Sequence, residues 1–137
     1  RPARLTWVGP VPPGTADRVG CDAHVVVAGV DPDGHVTSVA RQRRFFTWTQ
    51  RMAIIARDGD TCPWPWCDRP IWWSDAHHLR PWQDGGPTTV ANGVLPCAGH
   101  HQLLHEGRWR LQRQPDGGYL ARHHSGRTIG PQPHRRE

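Results

Sequence analysis

The chain has no long apolar segment. No stretch of its 137 residues approaches the roughly 18 consecutive apolar residues that a membrane-spanning helix needs, so we expect no membrane partner. A signal peptide is not recognisable either. Because the chain starts with Arg1 rather than methionine, we expect it to be a piece of a longer protein.

Residues that build a core are also scarce. Hydrophobic residues make up 36% of the chain and the mean hydropathy is −0.70, whereas glycine and proline number 15 and 14. The length suits one domain. A small, loop-rich domain usually needs stabilisation beyond its hydrophobic core, and a structural metal ion is a common source of it. Eight tryptophans supply much of the remaining apolar surface, since each ring buries on the order of 200 Å².

Lysine is absent, so all seventeen basic residues are arginines, and the formal net charge is +5. The planar guanidinium group of arginine binds phosphate oxygens through two parallel hydrogen bonds. The composition therefore favours a polyanionic partner, although a GC-rich coding sequence would produce the same bias.

Three arginines lie beside aromatic residues in one short stretch, at Arg41, Arg43 and Arg44. Basic and aromatic side chains in alternation can grip a nucleic-acid backbone. A solvated basic stretch before a helix explains the pattern equally well. With Arg80, these residues are the candidate phosphate contacts, and nothing in the sequence indicates which residues read bases.

The order of the segments predicts an α+β domain. Proline-rich residues 1–20 are expected to be an irregular lead-in or linker, 21–125 the domain, and 126–137 a flexible tail. Alternating apolar runs around turn residues predict two β-hairpins. Their strands are expected at 24–30 and 35–40, and at 109–113 and 119–122.

A short helix is predicted at residues 48–57. Thr47 and Gln50 have the spacing of a capping box, and Gly59 follows as a C-cap residue. The apolar face of this helix is predicted to consist of Trp48, Met52 and Ile55.

Three cysteines and a histidine form two short ligand pairs, and these four residues are Cys62, Cys67, Cys97 and His100. Structural zinc prefers a closed tetrahedron of thiolate and imidazole ligands, which two tight turns can supply. The three cysteines of this set are an odd number, which argues against complete disulfide pairing among them. The pattern favours metal binding in a reducing, cytoplasmic compartment. Cys21 lies beside a predicted strand, so we interpret it as a small buried hydrophobic residue outside the site.

Four more histidines remain. His101 and His105 are four residues apart, which places both imidazoles on one face of a helix. His77 and His78 follow residues 71–76, which resemble a strand, so their side chains are expected to point to opposite faces. One of these two can bind a metal ion with the helical pair, while the other accepts a proton from water.

This pattern resembles the HNH endonucleases of the ββα-metal, or His-Me finger, type, in particular the HNH domain at the C-terminal end of a large actinobacterial protein family. The resemblance covers about residues 20–113. Its motif consists, in order, of Asp75, His77, His78, Asn92, Cys97, His100, His101 and His105.

The resemblance implies a β-hairpin and a helix that hold one divalent ion, with a zinc knuckle at their base. His78 matches the general base, and Asn92 matches the residue that braces the loop between the two strands. The residues that match the ligands of the catalytic ion are His77, His101 and His105. Asp75 is a possible additional ligand. Gly93 departs from the family, which usually has a large apolar residue there.

The implied activity is metal-dependent hydrolysis of phosphodiester bonds in DNA, with nicking of one strand as one form of it. The products would carry 5′-phosphate and 3′-hydroxyl ends. Three imidazoles suit Zn, Ni or Mn better than Mg as the catalytic ion. Two alternatives stay open: a non-catalytic, zinc-stabilised DNA-binding module, and a disulfide-stapled secreted domain. The sequence carries no signal for an oligomeric state.

Overall fold

The computed structural model describes residues 2–21, 23, 25–42 and 44–133. This part of the chain is a mixed α+β structure with three α-helices and four small antiparallel sheets. Among the described residues, no helix is long and apolar enough to cross a membrane.

The N-terminal residues are ordered into regular elements, so the prediction of an irregular lead-in at 1–20 was wrong. Strands β1 (Ala3–Leu5) and β2 (Gly9–Val11) pair antiparallel, and helix α1 (Pro13–Gly20) follows. The prolines are compatible with this structure because Pro13 occupies the first turn of the helix, where no backbone N–H is needed.

The first hairpin is confirmed. Strands β3 (Val25–Val30) and β4 (Val36–Gln42) pair antiparallel around a turn at 31–34. The Asp31 carboxylate accepts hydrogen bonds from the backbone N–H groups of Asp33 and His35, at 3.0 and 2.8 Å. Position 24, which was expected in the first strand, lies outside the described residues.

Helix α2 (Trp48–Asp58) begins as predicted. The Thr47 hydroxyl accepts from the Gln50 N–H at 3.2 Å, and the Gln50 side chain accepts from the Thr47 N–H at 2.9 Å. The predicted apolar face was partly wrong, because Trp48 is 71% exposed and the buried residue is Ile54. Trp48 is the first residue of the helix and extends beyond the core that Ile54 enters.

The centre of the chain contains a two-stranded sheet followed by a helix. Strands β5 (His77–His78) and β6 (Gly93–Val94) pair antiparallel, and helix α3 (Ala98–Glu106) comes directly afterwards. The strand predicted at 71–76 is instead a 3₁₀ turn at Ile71–Trp73 that leads to a single bridge between Ser74 and Cys97. Pro70 starts this turn, and only Ile71 of its three residues enters the core.

A three-stranded antiparallel sheet closes the described chain. Strands β7 (Trp109–Arg113) and β8 (Tyr119–His123) form the second predicted hairpin, and β9 (Thr128–Gln132) adds to β8. The prediction of a flexible tail at 126–137 was therefore wrong for 128–132. Residues 134–137 lie outside the described chain.

Arg57, at the end of α2, joins the helix to the central and C-terminal sheets. Its guanidinium group pairs with Asp58 at 2.6 Å and donates to the carbonyl oxygens of Val90, at 2.5 Å, and Gly93, at 2.8 Å. The Tyr119 hydroxyl donates to the same Asp58 carboxylate at 2.9 Å. These bonds satisfy a buried ion pair and fix the position of β6.

Candidate metal centres

The first centre consists of the four residues predicted from the short ligand pairs. The ligand atoms of Cys62, Cys67, Cys97 and His100 all lie within 4.8 Å of one another, and the cysteines are free thiols. His100 Nδ1 is 3.5 Å from Cys62 Sγ and 3.3 Å from Cys97 Sγ. Cys97 is the N-cap residue of α3, so this centre lies at the base of the helix.

These distances fit a tetrahedral ion. Bonds of about 2.0–2.3 Å to nitrogen and sulfur set ligand atoms about 3.3–3.8 Å apart. Burial raises the pKa of the Cys62 thiol to about 12, so a nearby cation is needed to hold it as a thiolate. Trp64 stacks on the His100 ring at 4.5 Å and shields it from solvent. The cluster is therefore compatible with a structural metal ion such as zinc.

The second centre brings together the three predicted histidines. His105 Nε2 lies 3.2 Å from His77 Nδ1 and 3.1 Å from His101 Nε2. Two of these histidines come from successive turns of α3, and the third comes from β5. Three ring nitrogens that converge at this spacing can share one cation.

Cys21, which was interpreted as a small buried residue outside the site, is buried and lies within this second cluster. Its Sγ lies 3.6 Å from His77 Nδ1, and the ligand atoms of Cys21 and the three histidines all lie within 4.8 Å of one another. Cys21 reaches this position from the C-terminal end of α1, which packs on α3. Sequence spacing gave no signal for it, because its nearest ligand partner is 56 residues away.

Asp75 lies outside the ligand cluster. Its carboxylate is 3.3 Å from His101 Nδ1, the ring nitrogen that faces away from the other histidines. A carboxylate at that nitrogen fixes the ring so that the lone pair on Nε2 points into the cluster. Asp75 therefore contacts His101, a candidate metal ligand, and is not itself a member of the ligand cluster.

His78 lies beside the ligand cluster but is not a member of it, and its ring contacts Thr88 and Phe46. Its Nε2 lies 2.8 Å from Thr88 Oγ1, and the Thr88 hydroxyl donates its only hydrogen to the Arg44 carbonyl oxygen at 3.2 Å. Thr88 can then only accept from His78, so the hydrogen of the neutral ring is on Nε2. Nδ1 therefore carries the lone pair of the neutral ring, and this atom lies 4.0 Å from Cys21 Sγ.

Asn92 closes the loop between β5 and β6. Its side chain accepts from the Arg80 N–H at 2.9 Å and donates to the carbonyl oxygens of Arg80 and Pro87, at 3.1 and 2.8 Å. Gly86 lies against the same loop backbone, where an added Cβ would come within 1.8 Å of the Arg80 oxygen. These contacts hold the loop that carries Thr88, and with it the orientation of His78.

The histidines of the second centre are held neutral by their surroundings. Burial, together with the neighbouring histidines, lowers the pKa of His77 well below its ordinary value and that of His105 to about 4. Burial and the charge of Arg44 lower the pKa of His78 to about 4. Neutral imidazole is the form that binds metal ions and accepts protons.

A cleft of about 350 Å³ opens beside His77, His78 and His105. Three arginines line it, and these are Arg44, Arg108 and Arg110. Of the predicted phosphate contacts, Arg44 therefore borders the centre and Arg80 is exposed on the neighbouring loop. Arg41 is described only as part of β4, and position 43 lies outside the described residues.

The chain is similar to curated mycobacterial proteins over part of their length. It is 30% identical over 84 residues to the uncharacterized protein MT1160 of Mycobacterium tuberculosis, which covers 61% of this chain and 20% of that protein. It is 27% identical over 107 residues to the uncharacterized protein Rv1945 of the same species, and this match covers 78% of this chain and 23% of that protein. The chain thus spans about a fifth of these relatives. No family model matches it, and no solved structure matches it.

Proposed function

We propose that this chain is an HNH-type, ββα-metal endonuclease domain that hydrolyses phosphodiester bonds in DNA. The observation that carries this proposal is that the four imidazoles of β5 and α3 fall into two groups, three that could bind a metal ion and one that could act as a base. Three converge on one point, and the fourth, His78, carries its lone pair on Nδ1 beside them. A purely structural domain needs only the first metal centre.

In the proposed reaction, His78 Nδ1 accepts a proton from a water molecule in the cleft. The water oxygen forms a bond to phosphorus while the bond from phosphorus to the 3′-oxygen breaks, which leaves 5′-phosphate and 3′-hydroxyl ends. Thr88 holds the other ring nitrogen of His78, so the base points in one direction. A divalent ion held by His77, His101 and His105 would neutralise charge on the phosphate and the leaving oxygen.

The arginine-lined cleft supports a nucleic-acid substrate. Arg44 lines the cleft, and its buried Nε has no hydrogen-bond partner among the described residues. Arg108 and Arg110 line the same cleft. Arginine binds phosphate through charge and paired hydrogen bonds and carries no base preference by itself. We therefore expect weak sequence specificity and nicking of duplex DNA.

The Cys₃His centre completes the proposal as a structural zinc site at the base of α3. Cys97 and His100 anchor the same helix that carries His101 and His105. A structural ion at this centre would thus fix the positions of His101 and His105. Unpaired cysteines fit the reducing cytoplasm, which is the location that we propose.

Purified protein should nick supercoiled plasmid when a divalent metal is added, and His78→Ala should abolish nicking without reducing metal content. His35→Ala is the matched control, because His35 lies in the exposed turn of the first hairpin. A wild-type protein that stays inert with Mg, Mn, Ni and Zn would contradict the proposal.

One observation favours a second candidate, a non-catalytic DNA-binding module stabilised by metal. The second cluster offers four protein ligands when Cys21 is counted, and closed four-ligand sites are typical of structural zinc. This candidate predicts that the protein retards duplex DNA in a gel without cutting it under any of the same metal conditions.

A further inference from the structure

The thiol of Cys21 lies between the histidine cluster and the base. Its Sγ is 3.6 Å from His77 Nδ1 and 4.0 Å from His78 Nδ1, and the side chain is buried. A cysteine that serves only as a small apolar residue has carbon neighbours. Here two ring nitrogens approach the sulfur, and a thiol has one hydrogen to donate.

The sulfur position also suits metal coordination. A tetrahedral ion with bonds of about 2.0 Å to nitrogen and 2.3 Å to sulfur separates these atoms by about 3.5 Å. The distance between Cys21 Sγ and His77 Nδ1 is 3.6 Å, similar to the 3.5 Å between Cys62 Sγ and His100 Nδ1 in the first centre. The sulfur–nitrogen spacing is thus similar in the Cys₃His cluster and the CysHis₃ cluster.

We propose that Cys21 is the fourth ligand of the metal ion held by the three histidines, and that its thiolate keeps this centre closed until it is displaced. The first half of this proposal concerns metal binding only. The second half rests on the proposed nuclease function, because a closed centre has meaning only where a substrate must reach the ion.

The closed state follows from the position of the sulfur. Zinc that serves as a catalyst keeps a coordination position open for water or substrate, and four protein ligands fill the tetrahedron. Cys21 Sγ lies on the side of the histidine cluster that faces His78 Nδ1, where a water molecule activated by His78 would have to lie. With an ion held by all four residues, the thiolate would have to leave before DNA could bind there.

The element that carries Cys21 is suited to such a movement. Cys21 follows α1, whereas the three histidines lie on β5 and α3. Among the described residues, Glu106 of α3 accepts hydrogen bonds from Arg18 at 2.9 Å and Thr15 at 3.2 Å of α1, both at the surface. Cys21 and the three histidines are thus held by different elements, so displacement of the sulfur does not require that β5 or α3 moves.

A thiolate ligand also changes the choice of metal. Sulfur ligands favour zinc and cobalt over magnesium, calcium and manganese, which prefer oxygen. With Cys21 bound, the second centre should retain zinc in competition with excess magnesium. Without the thiolate, the three imidazoles alone should bind zinc more weakly.

Cobalt(II) spectroscopy tests the ligand assignment without DNA. The wild-type protein loaded with two cobalt ions should show thiolate-to-cobalt charge-transfer absorption from all four cysteines, and Cys21→Ser should lose about a quarter of it. The His105→Ala variant, loaded with one ion, supplies the reference spectrum of the Cys₃His centre. An unchanged charge-transfer intensity in Cys21→Ser would overturn the proposal.

X-ray absorption tests the same ligand assignment on the wild-type zinc protein, so the result does not depend on whether a variant folds. Two zinc ions bound by four cysteines and four histidines give an average of two sulfur and two nitrogen ligands per ion. If Cys21 is not a ligand, only three sulfur atoms are shared by two ions, and the sulfur contribution falls by a quarter. That lower value would overturn the assignment.

Plasmid nicking by the same proteins tests the closed state. Cys21→Ser should nick faster than the wild type, by about tenfold if release of the thiolate limits the rate by about 1.4 kcal/mol. A wild-type rate equal to that of the variant would overturn the closed state. If the cobalt spectra change as expected but neither protein nicks DNA, the ligand assignment stands and the nuclease function fails.

Discussion

Replacing Thr88 with valine should disable His78 while leaving both metal centres intact. Valine keeps the shape of threonine but lacks the hydroxyl group that His78 Nε2 contacts at 2.8 Å. The backbone of residue 88 stays in place, because Gln50 Nε2 donates to its carbonyl oxygen at 3.0 Å. The substitution therefore removes the two hydrogen bonds of the hydroxyl group, one to His78 Nε2 and one to the Arg44 carbonyl oxygen, and leaves the backbone in place.

The size of the effect follows from the burial of His78, which is 2% exposed. A buried N–H group without an acceptor costs about 1–3 kcal/mol. His78 can avoid this cost by moving its hydrogen from Nε2 to Nδ1, or by turning the ring. Either change removes the lone pair that accepts the proton from water, so the nicking rate should fall by about 5- to 150-fold.

Two measurements follow the change. Initial rates of plasmid nicking give the loss of activity, with Thr88→Ser as the matched control because serine retains the hydroxyl. Nitrogen NMR of the His78 ring reports which nitrogen carries the hydrogen, and this readout is independent of cleavage. Metal content should equal that of the wild type. A Thr88→Val protein with unchanged nicking rate and an unchanged tautomer would refute the role assigned to Thr88.

Three further predictions concern the packing around Gly93, the zinc affinity of the histidine centre, and the pH dependence of thermal stability. Gly93→Ala should lower the free energy of unfolding in urea by about 1–3 kcal/mol, because the added Cβ would lie 2.6 Å from Phe46 Cε1. Asp75→Asn should weaken zinc binding at the histidine centre by about 10- to 100-fold in a chelator competition, without affecting the Cys₃His centre. The metal-free protein should lose thermal stability as pH falls from 6.5 toward 4, because the unfolded chain binds protons that folded His78 and His105, with pKa values of about 4, do not. A melting temperature that is constant across this range would contradict the last prediction.

Features encoded by local spacing were predictable from the sequence. The capping box of α2 depends on two residues three apart, and the pair His101 and His105 depends on one helical turn. The Cys₃His set was predictable because tight turns hold each short pair together. In all these cases, neighbours in the chain determine the geometry, so tertiary packing adds little to it.

Features that depend on tertiary packing were not predictable. Cys21 joins the histidines only because α1 packs on α3, and residues 13–20 were too rich in proline and glycine to indicate a helix. Gly93 is another example, since it departs from the expected apolar residue. The structure explains it, because Phe46 and Ile54 fill the space that a side chain would occupy.

The Cys₃His centre and the histidine centre should each hold one metal ion, and the metal content of the purified protein tests this most directly. After dialysis against zinc, the wild-type protein should retain two equivalents per chain. His105→Ala should retain one equivalent and stay folded, and Cys97→Ser should lose the structural ion and much of its stability. A wild-type protein that retains a single equivalent, lost in both variants, would show one shared site and contradict the account.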